Sequence, residues 1–433
     1  MSLTLMGILV FVFLLIMIST GGPLAFGMGT VVVAAILVWF DPKLLYQLAE
    51  MAMDMGTSFL FIVAPLFIIM AELFVLSGRA DDAFDAARKW FNKVPVGLAV
   101  SSIFASSSFA AVSGSSPLTA ATIGMVAVPG MMQRGYSNKL AAGIVAVAGT
   151  IGIMIPPSLC MVIYGLLSGT SVGKLFIAGI IPGILLTVAL SLGVIIHVMI
   201  NPSLAPRFEE KVSWKDRFVS LKGVGPILVL CIAVIGSIYT GIVTPSEAAA
   251  VGASGAFIFV LFSGKEKLKK LVPTLKRSAG LTCAIMFLMI GGNLMGFLVT
   301  YMGIPQAMVE GMMSLGLNRW WVMVFINLIL LFLGCFLDPT AILALVVPLA
   351  FPIITKLGFD PVWFGIILTL NVEIGMVTPP VGLNLFIMKT VHPSLDMDIV
   401  VKGVLPYLGI LMICLVILIL FPQISLWLPN LMK

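Results

Sequence analysis

Two stretches of this chain share one design: Gly149-Thr150-Ile151-Gly152-Ile153-Met154-Ile155-Pro156-Pro157-Ser158 and Glu373-Ile374-Gly375-Met376-Val377-Thr378-Pro379-Pro380-Val381-Gly382. Each is an apolar, glycine-bearing run cut by a proline pair. A proline inside a helix removes a backbone N–H and clashes with the preceding turn, so two in succession predict a broken helix. Ahead of each break lies a segment too long for one membrane crossing. Residues 95–129 have a polar, turn-rich middle, Ala105-Ser106-Ser107-Ser108 and then Ser113-Gly114-Ser115-Ser116-Pro117. Each half of that segment holds roughly 17 residues, about 25 Å of helix, against a hydrocarbon core of ~30 Å. The segment therefore predicts a helical hairpin that enters the membrane and leaves by the same face. Residues 319–355 repeat the form, with Leu337-Asp338-Pro339-Thr340 at the tip. Pro117 precedes Pro156 by 39 positions and Pro339 precedes Pro379 by 40, an internal repeat.

The surroundings of these motifs are those of a membrane protein. Of 433 residues, 61% are hydrophobic and 10% charged, whereas soluble domains are about 45–50% apolar and about 25% charged. The net charge of +6 comes from basic residues gathered between apolar blocks, so it reads as loop orientation and not as nucleic-acid binding. The basic stretches are Asn201 to Lys222 and Ser263 to Ser278. Both are predicted to face the cytoplasm, and the two spans between them are consistent with that.

The fold predicted is an all-α polytopic membrane protein of two repeats. The first covers residues 1–200, with its hairpin at about 95–129 and its broken helix at about 139–168. A cytoplasmic basic linker, 201–222, leads to the second repeat, 223–433, with its hairpin at about 319–355 and its broken helix at about 361–390. Counting each hairpin as returning to its own side leaves about five spans per half. An odd number inserts the halves with opposite orientation. Inverted repeats with broken helices meeting at mid-membrane belong to secondary transporters. Two amphipathic stretches, Gly78 to Lys93 and Ile304 to Leu315, read as interfacial arm helices leading into the hairpins.

Unwound backbone is tolerated in a membrane only where protein or a water-filled cavity surrounds it. Four breaks in symmetric pairs therefore imply a central polar site. Ser116-Pro117, Asp338-Pro339 and Thr378-Pro379 each place a capping side chain before a proline, the signature of a helix start. The first break has Ile155-Pro156 and lacks such a side chain. Free carbonyls with Ser and Thr hydroxyls suit Na⁺, and bare N–H groups at half-helix starts suit a carboxylate. Sodium candidates are Ser113, Ser116, Gly149, Gly152, Ile155 and Pro156 in the first half, and Gly334, Asp338, Gly375 and Thr378 in the second. Substrate candidates are Ser115, Ser116, Thr340 and Asn384.

Other polar residues have plainer explanations. Ser106 to Ser108 suit close helix packing as well as binding. Glu247 in Thr244-Pro245-Ser246-Glu247 matches a capping box and reads as structural. Glu373 adjoins the second break and is costly to bury unless paired. Cys160, Cys231, Cys283, Cys335 and Cys414 are scattered in apolar stretches and form no C-x-x-C pair, so they read as small buried hydrophobes. His197 and His392 stand alone. Gly169 to Leu175 resembles a phosphate-binding loop only superficially, because the spacing is short and no hydroxyl follows Lys174. No group of His, Cys or acidic residues has catalytic spacing, so an enzyme is the weakest reading.

The Ser-Gly-Ser-Ser tip, the Gly-Thr-Ile-Gly-Ile-Met-Ile-Pro-Pro-Ser run, Thr-Pro-Ser-Glu-Ala-Ala-Ala and Met-Val-Thr-Pro-Pro-Val-Gly-Leu-Asn resemble the large membrane subunit of tripartite ATP-independent periplasmic (TRAP) transporters. The similarity covers essentially the whole chain. It implies sodium-coupled uptake of organic acids, of C4-dicarboxylate or sialic acid type, across a bacterial inner membrane by an elevator mechanism. It implies Na⁺ as coupling ion and no nucleotide. It further implies two partners, a periplasmic substrate-binding protein and a small membrane subunit of about four helices that this chain has no room to contain. Two alternatives remain at this point. One is a stand-alone Na⁺/dicarboxylate transporter that needs no binding protein, and the other is a passive channel.

Overall fold

Helices make up most of the described residues. The structure, a computed structural model, describes residues 3–19, 22–206, 212–314 and 318–432. No strand occurs among them. Arg207 and Lys211 of the predicted basic linker, and Leu315 at the end of the second predicted arm, lie outside the described residues.

The first half opens with α1 (Leu3–Ser19) and α2 (Leu24–Trp39), both apolar. The next helix, α3 (Leu44–Thr57), was not among the sequence expectations. It is amphipathic, burying Leu48 and Met55, and the Asn293 amide donates to Met55 Sδ at 2.8 Å. Then come α4 (Val63–Ser77) and the first arm, α5 (Ala80–Trp90). Asp81 and Asp82 in its first turn and Arg88 and Lys89 in its last complement the helix dipole. Asp85 pairs with Lys89 at 2.6 Å and Arg88 at 2.9 Å. Burial pushes its carboxyl up, Lys89 and Arg88 pull it down, and it ends below the ordinary carboxylate range.

Residues 97–132 form a helix–turn–helix, α6 (Gly97–Ser113) and α7 (Ser116–Met132), closed by Gly114 and Ser115. Gly114 has φ +56°, and a Cβ there would stand 2.7 Å from the Pro157 carbonyl, so the tip demands glycine on both counts. The first broken helix is α8 (Asn138–Met154) and α9 (Leu159–Ser168), bent by 42° at the proline pair. The long α10 (Val172–Ile200) closes the half.

The second half enters by α11 (Trp214–Cys231), which continues through a π-turn into α12 (Ser237–Tyr239). The Arg217 guanidinium donates to Asn92 Oδ1 at 2.7 Å and the Trp90 indole to the Arg217 carbonyl at 3.2 Å, tying this helix to the arm α5. Next is α13 (Pro245–Leu261), whose Thr244 and Glu247 close the predicted capping box. The short α14 (Lys265–Lys269) and the long α15 (Leu271–Tyr301) lead to the second arm, α16 (Ile304–Ser314). The second hairpin is α17 (Arg319–Gly334) with α18 (Pro339–Lys356), and the second broken helix is α19 (Pro361–Met376) with α20 (Leu383–Val391). The chain ends in α21 (Met397–Leu420) and α22 (Gln423–Leu426).

Among the described residues, by length and apolar composition, six helical segments reach the size of a membrane span, at 59–77, 172–200, 214–239, 271–301, 339–356 and 397–420, and the bent pair α8–α9 makes a seventh. This is fewer than the sequence count of about five per half. The helices α2 and α13 stop at 16 and 17 residues, and turn-forming residues such as Asp41-Pro42 and Ser263-Gly264 follow them.

One backbone contact recurs in both halves. The Leu159 N–H donates to the Gly114 carbonyl at 3.4 Å, and the Gly382 N–H donates to the Cys335 carbonyl at 3.1 Å. Gly114 and Cys335 each end the first helix of a hairpin, and Leu159 and Gly382 each sit where a broken helix restarts. In each half the hairpin tip is therefore fastened to the break that follows it. The two halves are also joined, by the Tyr164 hydroxyl donating to the Pro361 carbonyl at 2.6 Å.

Candidate functional site

The proline pairs leave specific carbonyls short of donors. In a helix each carbonyl accepts from the N–H four residues on. Pro156 and Pro157 have no N–H to offer Gly152 and Ile153, and Pro379 and Pro380 have none for Gly375 and Met376. The Gly375 carbonyl instead accepts from Thr378 N–H at 3.0 Å.

Two capping expectations need correction. The N-cap of α7 is Ser115, with Ser116 already inside the helix. The Ser116 hydroxyl accepts from the Asn384 amide at 2.9 Å, so it is committed to tertiary contact. Thr378 starts no helix either, because α20 begins only at Leu383. Its hydroxyl donates back to the Ile374 carbonyl at 2.6 Å, ending α19. Three residues that cannot continue a helix, Pro379, Pro380 and Gly382, explain the delay. Asp338 does cap α18, its Oδ1 accepting from Thr340 N–H at 2.9 Å and Ala341 N–H at 3.2 Å. At the first break the cap is Ser158, which accepts from Met161 N–H at 3.4 Å. A serine directly after the proline pair and before an apolar run was the signal for it.

The candidate residues gather in two clusters. At the first tip the Ser113 and Thr119 hydroxyls bond across the hairpin at 2.9 Å. Gly152 lies beneath them, a Cβ there reaching Thr119 Oγ1 at 3.2 Å and the Ser115 carbonyl at 3.5 Å. Gly149 packs on Ala120, with 2.7 Å from its notional Cβ. At the second tip Gly334 and Gly375 meet backbone to backbone. Ile155 is half-buried and Pro156 buried in the first break.

Between the tips lies a cavity of about 920 Å³. Ser113, Gly114, Ser115 and Pro117 from the first tip line it, with Asp338, Pro339 and Thr340 from the second. Pro157, Leu159, Cys160 and Leu383 add the restarts of both broken helices. The opposite wall is apolar apart from Glu72 and comes from α2, α4 and α15, including Phe67, Cys283 and Phe287. Thus four helix N-termini border one space, those of α7, α9, α18 and α20. Each carries the partial positive charge of its helix, which at α18 the Asp338 carboxylate already caps. The ionisable side chains on the wall, cysteines aside, are Glu72 and Asp338; no Lys, Arg or His lines it among the described residues. Glu72 is already paired with Arg277, the Nε–Oε2 distance being 2.9 Å. Of the four substrate candidates, Ser115 and Thr340 line the cavity. Ser116 and Asn384 are fully buried behind it.

Such a space can take a compact, partly apolar anion. Its charge would be met by helix termini, and hydroxyls from both tips would orient it. No group of three or more His, Cys, Asp or Glu residues able to hold a metal occurs among the described residues.

Comparison with known proteins agrees over nearly the whole chain. Residues 11–424 match the family described as "Tripartite ATP-independent periplasmic transporter, DctM component". A Pseudomonas aeruginosa protein named "C4-dicarboxylate TRAP transporter large permease protein DctM" is 37% identical, with 92% of each chain covered. A Vibrio cholerae protein of the same name is 36% identical, covering 98% of this chain and 97% of its own. Among solved structures, the YdaH transporter of Alcanivorax borkumensis has a TM-score of 0.60 over 90% of this chain and 91% of its own. Its identity is 13%, so the likeness is one of fold.

Proposed function

The chain belongs to the family of the DctM component of tripartite ATP-independent periplasmic transporters, and on that premise we propose that it drives sodium-coupled uptake of organic acids across a bacterial inner membrane. The substrate is a carboxylate, with a C4-dicarboxylate the first to test, since two similar relatives are named for it. The observation that carries this reading is the convergence of four helix N-termini on one cavity whose described wall holds no basic side chain. An anion there gains from the termini, while cations bound at the two tips would offset its remaining charge.

The two halves act as oppositely inserted repeats, 1–200 and 223–433. The hairpins and broken helices move together as an elevator against a scaffold that includes α2, α4 and α15. The cavity lies between those two groups of helices, so sliding one past the other would expose its contents to each side in turn. Na⁺ sits at Ser113, Gly149, Gly152, Ile155 and Pro156 in one half, and at Gly334, Asp338, Gly375 and Thr378 in the other. A periplasmic binding protein delivers the substrate, and a small four-helix membrane subunit braces the scaffold.

Reconstitution in proteoliposomes tests the reading. With binding protein and small subunit present, an inward sodium gradient should concentrate labelled succinate above the outside level. Collapse of the gradient should leave only equilibration. Accumulation by this chain alone would replace the reading with a stand-alone transporter, and equilibration despite a gradient would replace it with a channel. Thr378→Ala should weaken sodium dependence, and wild-type uptake in that variant would remove Thr378 from the sodium sites.

A further inference from the structure

Behind the first hairpin tip, away from the cavity wall, three buried oxygen-bearing side chains meet where the halves touch. Glu373 in α19 is 0% exposed, and neither carboxyl oxygen makes a hydrogen bond among the described residues. Ser116, at the start of α7, lies beside that carboxyl, and no basic side chain among the described residues acts on it. Asn384 in α20 is also 0% exposed. Its amide nitrogen donates to Ser116 Oγ at 2.9 Å and to the Ala146 carbonyl at 3.2 Å. Two acceptors on one nitrogen settle which way the amide faces, and they leave Asn384 Oδ1 buried without a donor.

The result is an excess of acceptors. The Ser116 hydroxyl faces the Glu373 carboxyl while its oxygen already accepts from Asn384, and Asn384 Oδ1 is buried without a donor on the same side chain. A buried ionised carboxylate is costly unless a positive charge meets it, and no basic side chain among the described residues supplies one. Oxygen donors of this kind, one of them charged, are the ligands that hard cations take. The arrangement is not a product of the repeat. Thr150 and Glu373 each stand six positions before their proline pair, yet Thr150 bonds locally to the Val147 carbonyl at 2.7 Å.

We propose that Glu373, with Ser116 Oγ and Asn384 Oδ1, forms a further monovalent-cation site between the two halves, occupied by Na⁺ and distinct from the carbonyl clusters at the two tips. Its ligands come from the first hairpin and from both parts of the second broken helix. Filling it fastens α7 to α19 and α20, so the site holds the two repeats together as one moving unit. Only this last role rests on the transport reading above; the binding site does not.

Equilibrium binding of radioactive sodium to the purified full chain in detergent, without substrate, tests the site apart from transport. Glu373→Gln keeps the shape and removes the charge. It should lose one sodium equivalent, or raise half-saturation about tenfold or more. Without sodium its melting temperature should equal or exceed that of the wild type, and the rise on adding sodium should be smaller. Asn384→Ala should also weaken sodium binding, and it carries the test alone if Glu373→Gln does not fold. Gln is the isostere of a neutral acid, so wild-type stoichiometry and half-saturation in Glu373→Gln would mean that the carboxyl is held uncharged. That outcome overturns the proposal, as would equal effects of potassium and sodium on wild-type melting.

Discussion

Gly334 and Gly375 leave no room for a side chain between them: a Cβ on Gly375 would stand 2.4 Å from the Gly334 Cα, and one on Gly334 would stand 2.8 Å from the Gly375 Cα. Backbone faces backbone, so neither neighbour can swing away. The second hairpin thus lies directly on the second broken helix at the point where the latter loses its helical donors.

Gly375→Ala should therefore destabilise the protein by about 1–3 kcal/mol, the usual cost of overpacking a tight site. Gly409→Ala is the control, with nothing within 4 Å of its notional Cβ. It should be neutral or stabilising by up to about 1 kcal/mol through helix propensity. Thermal unfolding in detergent reads both, and equal shifts would refute the close approach.

Asp338 separates capping from charge. Asp338→Ala removes the acceptor for Thr340 and Ala341 N–H and should cost about 1 kcal/mol. Asp338→Asn retains an acceptor oxygen and should melt close to the wild type. Sodium half-saturation measured on the Asn variant then reports the carboxylate's charge alone. A melting loss in Asn as large as in Ala would show that capping is not its structural role.

Cys160 and Cys283 face each other's wall of the cavity, and Cys283 is the exposed one. In a variant retaining only Cys283, a small thiol reagent should react readily, and saturating substrate with sodium should slow it. Reaction at an unchanged rate under saturating substrate would place the substrate elsewhere.

The capping box at α13 should behave as scaffold. Glu247 Oε2 accepts from Thr244 N–H at 2.7 Å, and Thr244 Oγ1 accepts from Glu247 N–H at 3.3 Å. Thr244→Ala should lower stability by about 0.5–2 kcal/mol and leave the sodium half-saturation of uptake unchanged. A shift in half-saturation without loss of stability would instead make Glu247 part of the ion pathway.

Much of the site was legible from local chemistry. Proline pairs break helices wherever they fall, so the two breaks and their hairpins could be placed from residue type alone. Asp338 before Pro339 was a true cap for the same reason. Ser116 before Pro117 looked identical, yet it is not a cap. The turn at Gly114 shifts the helix start by one residue, and a partner 268 positions away takes the hydroxyl. Thr378 misled similarly, because capping chemistry assumes a helix follows, and Pro380 and Gly382 postpone it. The amphipathic α3 went unseen because its polar face carries only Gln47, Glu50, Asp54 and Thr57 within an otherwise apolar stretch.

The order of residues alone determined that the chain is helical, lives in a membrane, and breaks its helices at two pairs of prolines. These properties depend on hydrophobicity, on missing N–H groups and on spacing, all of which are local. Tertiary structure alone decided which broken ends share a space, that Ser115 and Thr340 border it while Ser116 and Asn384 stand behind it, and that Glu373 is buried with no basic partner among the described residues. Such facts depend on distances between residues hundreds of positions apart, and only the packing of one half against the other sets those distances.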